Sequence, residues 1–404
     1  VGIDWLFSQV AFKTMAYQRQ GRVLGQSAEG GEFLGRLEGR PGETLDYHAM
    51  DLYSLLEAMQ LSKATRRRDK YFALAGLAVN VSGDEPELRP DYVSPIDTIV
   101  SRFGRWFWER GSGVRVLLTG GLASQSGLQI PSWAPDFTAA NTRNAMNRAP
   151  IVAEHYTAAG DTVFRFTMTP GIDHLVTLSG LFVDAVDRDP SRQLPLRDLL
   201  VRIADSSVGN AGLVMPLLQH VASNLRAVFG DVPSGSPLPR QLSDEAVSAA
   251  LLFGSEGGGE SMTDRERAIG FRYWSWLAVY RKDLTDKEEM PTEISGRLTK
   301  IEFGAEMPEV HASEAKFRAS LILTASRHSQ LTPTRRGHVA NLPACFERGD
   351  EIWVLGGVPL PILLRRSKAY AGCYQVIGPC YIHGMMHGEA LAVPGRGFEE
   401  VTLC

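Results

Sequence analysis

Apolar positions recur at helical spacing in several early stretches and switch to a period of two further on. An opening helix is expected from Asp4 to Gln18, burying Trp5, Phe12 and Met15, before glycine-marked loops at Gly30-Gly31 and Arg40-Pro41-Gly42. After Thr44, Leu45, Leu52, Leu55, Leu56 and Met59 share one face while Asp51, Glu57 and Gln60 take the other, the pattern of an amphipathic helix. A shorter helix is expected in Arg66–Leu77, with Asp69 as its N-cap and Gly76 as a left-handed residue past its end. Ala73 and Ala75 would keep it slim enough for a close neighbour. Ser94-Pro95-Ile96-Asp97 has the chemistry of a helix start, and Ile96, Ile99, Val100, Phe103 and Phe107 form its stripe up to Gly111. Trp106 and Trp108 flank that stripe. Each proline of Pro131-Ser132-Trp133-Ala134-Pro135-Asp136 keeps its predecessor extended, making Trp133 a rigid plug over a core.

From Val163 the alternation has period two. Val163–Met168 and Leu175–Val183 read as a hairpin around Pro170-Gly171. Helices follow from Leu196 to Phe229, then a proline- and glycine-rich linker (Asp231–Arg240) and further helices to about Lys282, interrupted by a glycine-rich loop at Gly254–Glu260. Glu314–Ser326 is the last helix. Short runs at Gln330–Thr334, Glu351–Leu355, Leu360–Leu364 and Tyr374–Ile377 read as strands of a small sheet or half-barrel. The class is α+β: a mainly helical body with a β-hairpin and a small β-rich C-terminal unit. Its expected divisions are 1–150, 151–300 (the hairpin and the helices after it) and 301–404.

Composition narrows the function. The chain has 404 residues, 44% hydrophobic and 22% charged, which suits a folded protein and excludes a disordered tail, a fibre or a coiled-coil rod. With 42 Lys+Arg against 46 Asp+Glu the formal charge is −4, so nothing global points to nucleic acid. No apolar run is long enough to span a bilayer. The four cysteines all lie near the C-terminus without a CxxC spacing, as expected of a reduced, cytoplasmic chain with no structural zinc. The chain opens on Val1 with no leader-like pattern, and so reads as a piece of a longer protein.

Catalytic signatures are missing: no dinucleotide fingerprint, P-loop, nucleophile elbow or zincin helix occurs, and no lysine follows the glycines of Gly254–Gly259. The densest ionisable cluster is Tyr381–Glu389. His383 and His387 at i, i+4, with Glu389 and Cys380 near, invite a metal reading, whereas Gly384 and Gly388 favour a structural turn. Arg66, Arg67, Arg68 and Lys70 would meet either an acidic partner segment or the acids beside them. Tyr92, Trp106, Trp108 and Trp133 would form either a stacking surface or core.

Several blocks then resemble one family. Arg68-Asp69-Lys70-Tyr71-Phe72-Ala73-Leu74-Ala75-Gly76-Leu77 is similar to the "RDKxxALLGL" block of fungal heterokaryon-incompatibility (HET) domain proteins, and Pro90-Asp91-Tyr92 and Pro131–Asp136 resemble their "PDY" and "PSWxPDW" blocks. Phe137 stands where the family has a second Trp. Leu178–Asp184 resembles the strand that follows. Gly349-Asp350 through Arg365 resembles the C-terminal block, and Tyr381–Ala390 the closing "YVHGxMxGEA". The HET domain itself lies upstream of such blocks and is absent from this chain. For the family, the resemblance implies non-self recognition and programmed cell death after fusion of incompatible cells. For this chain it implies a non-enzymatic regulatory or recognition region without a cofactor, working with a protein partner or by self-association. Arg68, Asp69, Lys70, Asp91, Trp133, Asp136, Gly349, Asp350, Tyr381, Gly384 and Gly388 would then be structural. The competing expectation is an enzyme using His383, His387 and Glu389, with or without a metal.

Overall fold

The computed structural model describes residues 50–59, 64–123, 127–138, 155–169, 174–187, 244–252, 262–280, 307–325 and 329–404. The expected opening helix, the 196–229 helices, the 231–240 linker and the 254–260 loop lie outside them. Helices and sheets both contribute, as an α+β chain should.

The first helices are α1 (Leu52–Ala58), α2 (Asp69–Ala75), α3 (Ile96–Phe107) and α4 (Gly113–Thr119). Asp51 caps α1 by accepting the Ser54 N–H at 2.8 Å. In α2 the expected cap moves by one residue. Arg68 is the cap position, with helical φ/ψ and no capping side chain, and Asp69 is already inside the helix. Gly76 is right-handed (φ −71°), not left-handed, and Ala73 is exposed, so only Ala75 of the two alanines is covered. Gly111 does break α3, at φ 81°, but within a wide turn (Trp108–Ser112) that leads directly into α4. Trp106, still within α3, and Trp108, at the start of that turn, are both buried, as is Trp133.

The hairpin strands are β1 (Phe166–Met168) and β2 (Val176–Ala185), with Phe166 opposite Leu178. Helices α5 (Asp244–Leu251), α6 (Asp264–Tyr280) and α7 (Met307–Ala325) follow. The remaining strands are β3 (Ser329–Pro333), β4 (Val339–Pro343), β5 (Glu351–Leu355), β6 (Ile362–Arg366), β7 (Cys373–Pro379), β8 (Tyr381–Ile382) and β9 (Glu399–Leu403).

The hairpin does not stand apart from the C-terminal strands. One sheet runs β1-β2-β5-β6-β7-β9, and β9 pairs back onto β2, so five strands close into a ring with β1 on its flank. The expected half-barrel is thus complete, and β2 supplies its missing wall. Gly180 sits where the ring is tightest: a Cβ there would lie 2.9 Å from both Leu355 Cδ2 and Val401 Cγ2. A second sheet, β3-β4-β8, covers the first.

Successive strand residues point to opposite faces, and here both faces are buried. Trp353, Leu355, Ile362, Leu364, Val376, Val401 and Leu403 join the aromatic core of α1–α4. Leu181, Val183, Ile352, Val354, Leu363 and Ile377 pack with Ala340, Leu342 and Ile382 of the smaller sheet. Ser132 fastens the two parts: its N–H and hydroxyl both donate to the Cys404 carbonyl, and its Oγ accepts the Val376 N–H at 2.8 Å.

Candidate functional site

Two groups of the singled-out residues assemble in space. The first forms around α2. An Arg68 guanidinium N–H donates to the Asp91 carbonyl at 3.1 Å, and the Asp91 carboxylate accepts the Val93 and Ser94 N–H groups at 2.9 and 3.0 Å. Its bonds to Ser94 and then Val93 hold the Asp91 carboxyl down at about 2. Lys70 Nζ donates to the Phe137 carbonyl at 3.3 Å. The Tyr71 hydroxyl donates to the Pro135 carbonyl and accepts the Phe137 N–H. Asp136 is buried and takes both the N–H and the hydroxyl of Thr138, at 2.9 and 2.6 Å.

Three blocks spread over some seventy positions therefore close on one another largely through main-chain bonds. Trp133 is fully buried, donates to the His174 carbonyl at 3.1 Å, and meets Trp108 edge-on. Phe137 meets Tyr53, Tyr71 and Phe107 edge-on, which packs its ring into the aromatic core. Of the four aromatics weighed as a stacking surface, only Tyr92 is exposed. One acid is left incomplete: Asp69 Oδ1 is buried without a hydrogen-bond partner.

The second group lies in the C-terminal unit. Gly349 turns the chain at φ 95° and its N–H donates to the Val186 carbonyl. Asp350 follows, buried, accepting the Glu347 N–H at 2.7 Å and a two-pronged grip from Arg365. Beyond β8, Gly384 and Gly388 take φ of 77° and 88°, and the segment turns rather than continuing as a helix. Tyr381 is buried in β8, and its hydroxyl stands 3.4 Å from His383 Nδ1. The Glu389 carboxylate accepts the His387 N–H at 2.6 Å, and the His387 ring lies against Tyr156. The His383 and His387 rings thus face Tyr381 and Tyr156 respectively, while Glu389 takes the His387 N–H and also acts electrostatically on His383. Among the described residues no three His, Cys, Asp or Glu side chains are grouped so that they could hold a metal ion.

Sequence reasoning did not find what surrounds His383. Burial lowers its pKa, Glu245 at the start of α5 works against that, and Arg267 of α6 reinforces it. Arg267 is buried and pairs with Asp264 at 2.7 Å. A signal for the helix was present, since Thr263 and Glu266 form a reciprocal cap, the Thr263 N–H reaching Glu266 at 2.8 Å. Nothing marked Arg267 as buried. All four cysteines are free, and burial pushes the Cys380 thiol far above its usual range. No described helix is long and apolar enough to cross a membrane.

Comparison of the chain with protein-family models, with curated proteins and with solved structures found no match.

Proposed function

We propose that this chain is a non-enzymatic regulatory and recognition region of a fungal heterokaryon-incompatibility protein, acting in non-self recognition that leads to programmed cell death. One observation carries the reading: three of the block carboxylates, Asp91, Asp136 and Asp350, hold backbone in place. Asp91 takes Val93 and Ser94, Asp136 takes Thr138, and Asp350 takes Glu347 and Arg365. A catalytic carboxylate needs its oxygens available to a reacting group, and each of these has at least one oxygen taken by the chain's own groups. The block residues therefore lock a scaffold that presents a surface. The reading keeps a mainly helical body beside the barrel. It places the protein in the cytoplasm, in keeping with four free cysteines.

The test is genetic. In a filamentous fungus carrying this chain, deletion should change the survival of heterokaryons formed with incompatible strains. The wild-type sequence and a His383→Gln/His387→Gln/Glu389→Gln variant should restore the response equally, and Asp350→Ala should not. A response lost in the His/Glu variant at unchanged melting temperature would overturn the proposal in favour of an enzyme. So would heterokaryon survival indifferent to the deletion.

A further inference from the structure

We infer that the surface formed by Arg66, Arg67, Tyr92 and Val93 is a docking site for an acidic segment of a partner protein that carries an apolar side chain. The inference rests on the recognition reading above and names the surface that would do the recognising.

The charge is local. The chain is acidic overall, yet Arg66, Arg67, Arg68 and Lys70 face a single acid, Asp69, in their own stretch. Arg68 and Lys70 are engaged with the Asp91 and Phe137 carbonyls. Arg66 and Arg67 are exposed and form no ion pair with any described residue. The neighbouring acid is no better placed to neutralise them: Asp91 is committed to the Val93 and Ser94 N–H groups and stands 3.7 Å from Arg102. Arg102 in turn donates to the Arg89 carbonyl at 3.1 Å, which brings another cation to the same loop.

The apolar part starts at Tyr92, beside Arg66 and with Asp69 acting on its hydroxyl. Val93 is 96% exposed and Tyr92 52%. Tyr92 leans on buried Phe72 with ring centroids 5.7 Å apart, and the Arg66 guanidinium lies 5.8 Å from its ring. Scattered exposed apolar residues are ordinary. Two adjacent ones displayed on a turn that is already rigid are less so. The Asp91 turn holds Tyr92 and Val93 outward, so little ordering entropy remains to be lost on binding. Tyrosine and arginine are also the residue types that concentrate at the centre of interfaces. An extended acidic peptide matches both features: its carboxylates reach Arg66 and Arg67, and its apolar side chain covers Val93.

The experiment is fluorescence anisotropy on the whole chain, with a labelled peptide of alternating glutamate and leucine as probe. A lysine–leucine peptide, phosphatidylserine vesicles and single-stranded DNA serve as comparators. Saturable binding of the acidic peptide is expected, weakening as salt is raised. It should weaken about tenfold in Arg66→Glu/Arg67→Glu and likewise in Val93→Asp, with melting temperatures unchanged. If the charge reversal disturbs folding, Arg66→Gln/Arg67→Gln should still show the same direction of change. Absence of binding, binding indifferent to these substitutions, or preference for vesicles or DNA would overturn the inference. Such a failure leaves the scaffold reading intact, because that reading is decided by the heterokaryon response.

Discussion

Arg365 grips Asp350 with two bonds, Nε to Oδ1 at 2.8 Å and Nη2 to Oδ2 at 2.9 Å. The same Nη2 also donates to the Cys345 carbonyl, and Nη1 pairs with Glu347 at 2.7 Å. One arginine thus ties the start of β5 to the turn before it. Replacing Asp350 with Ala leaves the guanidinium and the Glu347 N–H short of a partner in a buried place. The expected cost is about 2–4 kcal/mol, read as a lower urea midpoint. Asp350→Asn should retain part of the loss, since an amide oxygen still accepts.

The two glycines with the clearest roles should respond in opposite ways to the size of the new side chain. At Gly180 a methyl group meets Leu355 and Val401 at 2.9 Å. Gly180→Ala should cost about 1–3 kcal/mol by overpacking, and Gly180→Ser should do no better. At Gly349 there is open space but φ is 95°. Gly349→Ala should cost about 1 kcal/mol, and Gly349→Asn less, because asparagine tolerates left-handed backbone. Equal losses at Gly349 for Ala and Asn would count against the conformational explanation.

Acid should weaken the fold through Asp91 and Glu266. Both carboxyls sit at about 2 in the folded chain, Asp91 through the Ser94 and Val93 bonds and Glu266 through Thr263 and Lys316. In the unfolded chain they titrate near about 4. The unfolded state therefore binds more protons between those values, and stability falls as pH drops from about 4 towards 2. Urea midpoints measured across that window should slope less steeply in Asp91→Asn/Glu266→Gln than in wild type.

Of these features, β5 was the most legible. Its apolar run Ile352–Leu355 follows a single acid, Glu351, between Gly349-Asp350 and Gly356-Gly357, and its bounds agree with expectation at both ends. The strand β9 was invisible because Glu399 and Glu400 are exposed and Gly395 and Gly397 precede it. It becomes a strand only because β2 and β7 wait on either side of it. Trp106 and Trp108, left open between a stacking surface and core, are core: Trp106 is buried within α3 and Trp108 at the start of the wide turn that follows it. At the candidate sites Asp91, Asp136 and Asp350 accept main-chain N–H groups, whereas Asp69, expected as a cap from its place before an apolar run, does not. Of the charges around His383, Glu389 was grouped with it in the sequence, while Glu245 and Arg267, remote in sequence, were not.

His383 gives a second pH signature, of the same sign in a different window. Burial lowers its pKa, so the folded chain resists its protonation while the unfolded chain accepts it near about 6.5. Stability should fall as pH drops below that value. His383→Gln should match wild type at pH 8 and exceed it at pH 5.5. His338 is lowered by burial in the same direction, so the comparison must be between these two proteins at each pH. A constant difference across the range would contradict the assignment.

The seam between β2 and β9 joins Thr177 to Thr402, 225 positions apart. Until the final strand is made, β2 presents an open edge, and a nascent chain leaving the ribosome must carry that edge exposed through the synthesis of everything between. Contacts so distant form late and slowly, and an unpaired edge invites pairing with another molecule. The yield of native protein should therefore depend less on how firmly the finished ring holds than on how quickly the last strand arrives to fill it.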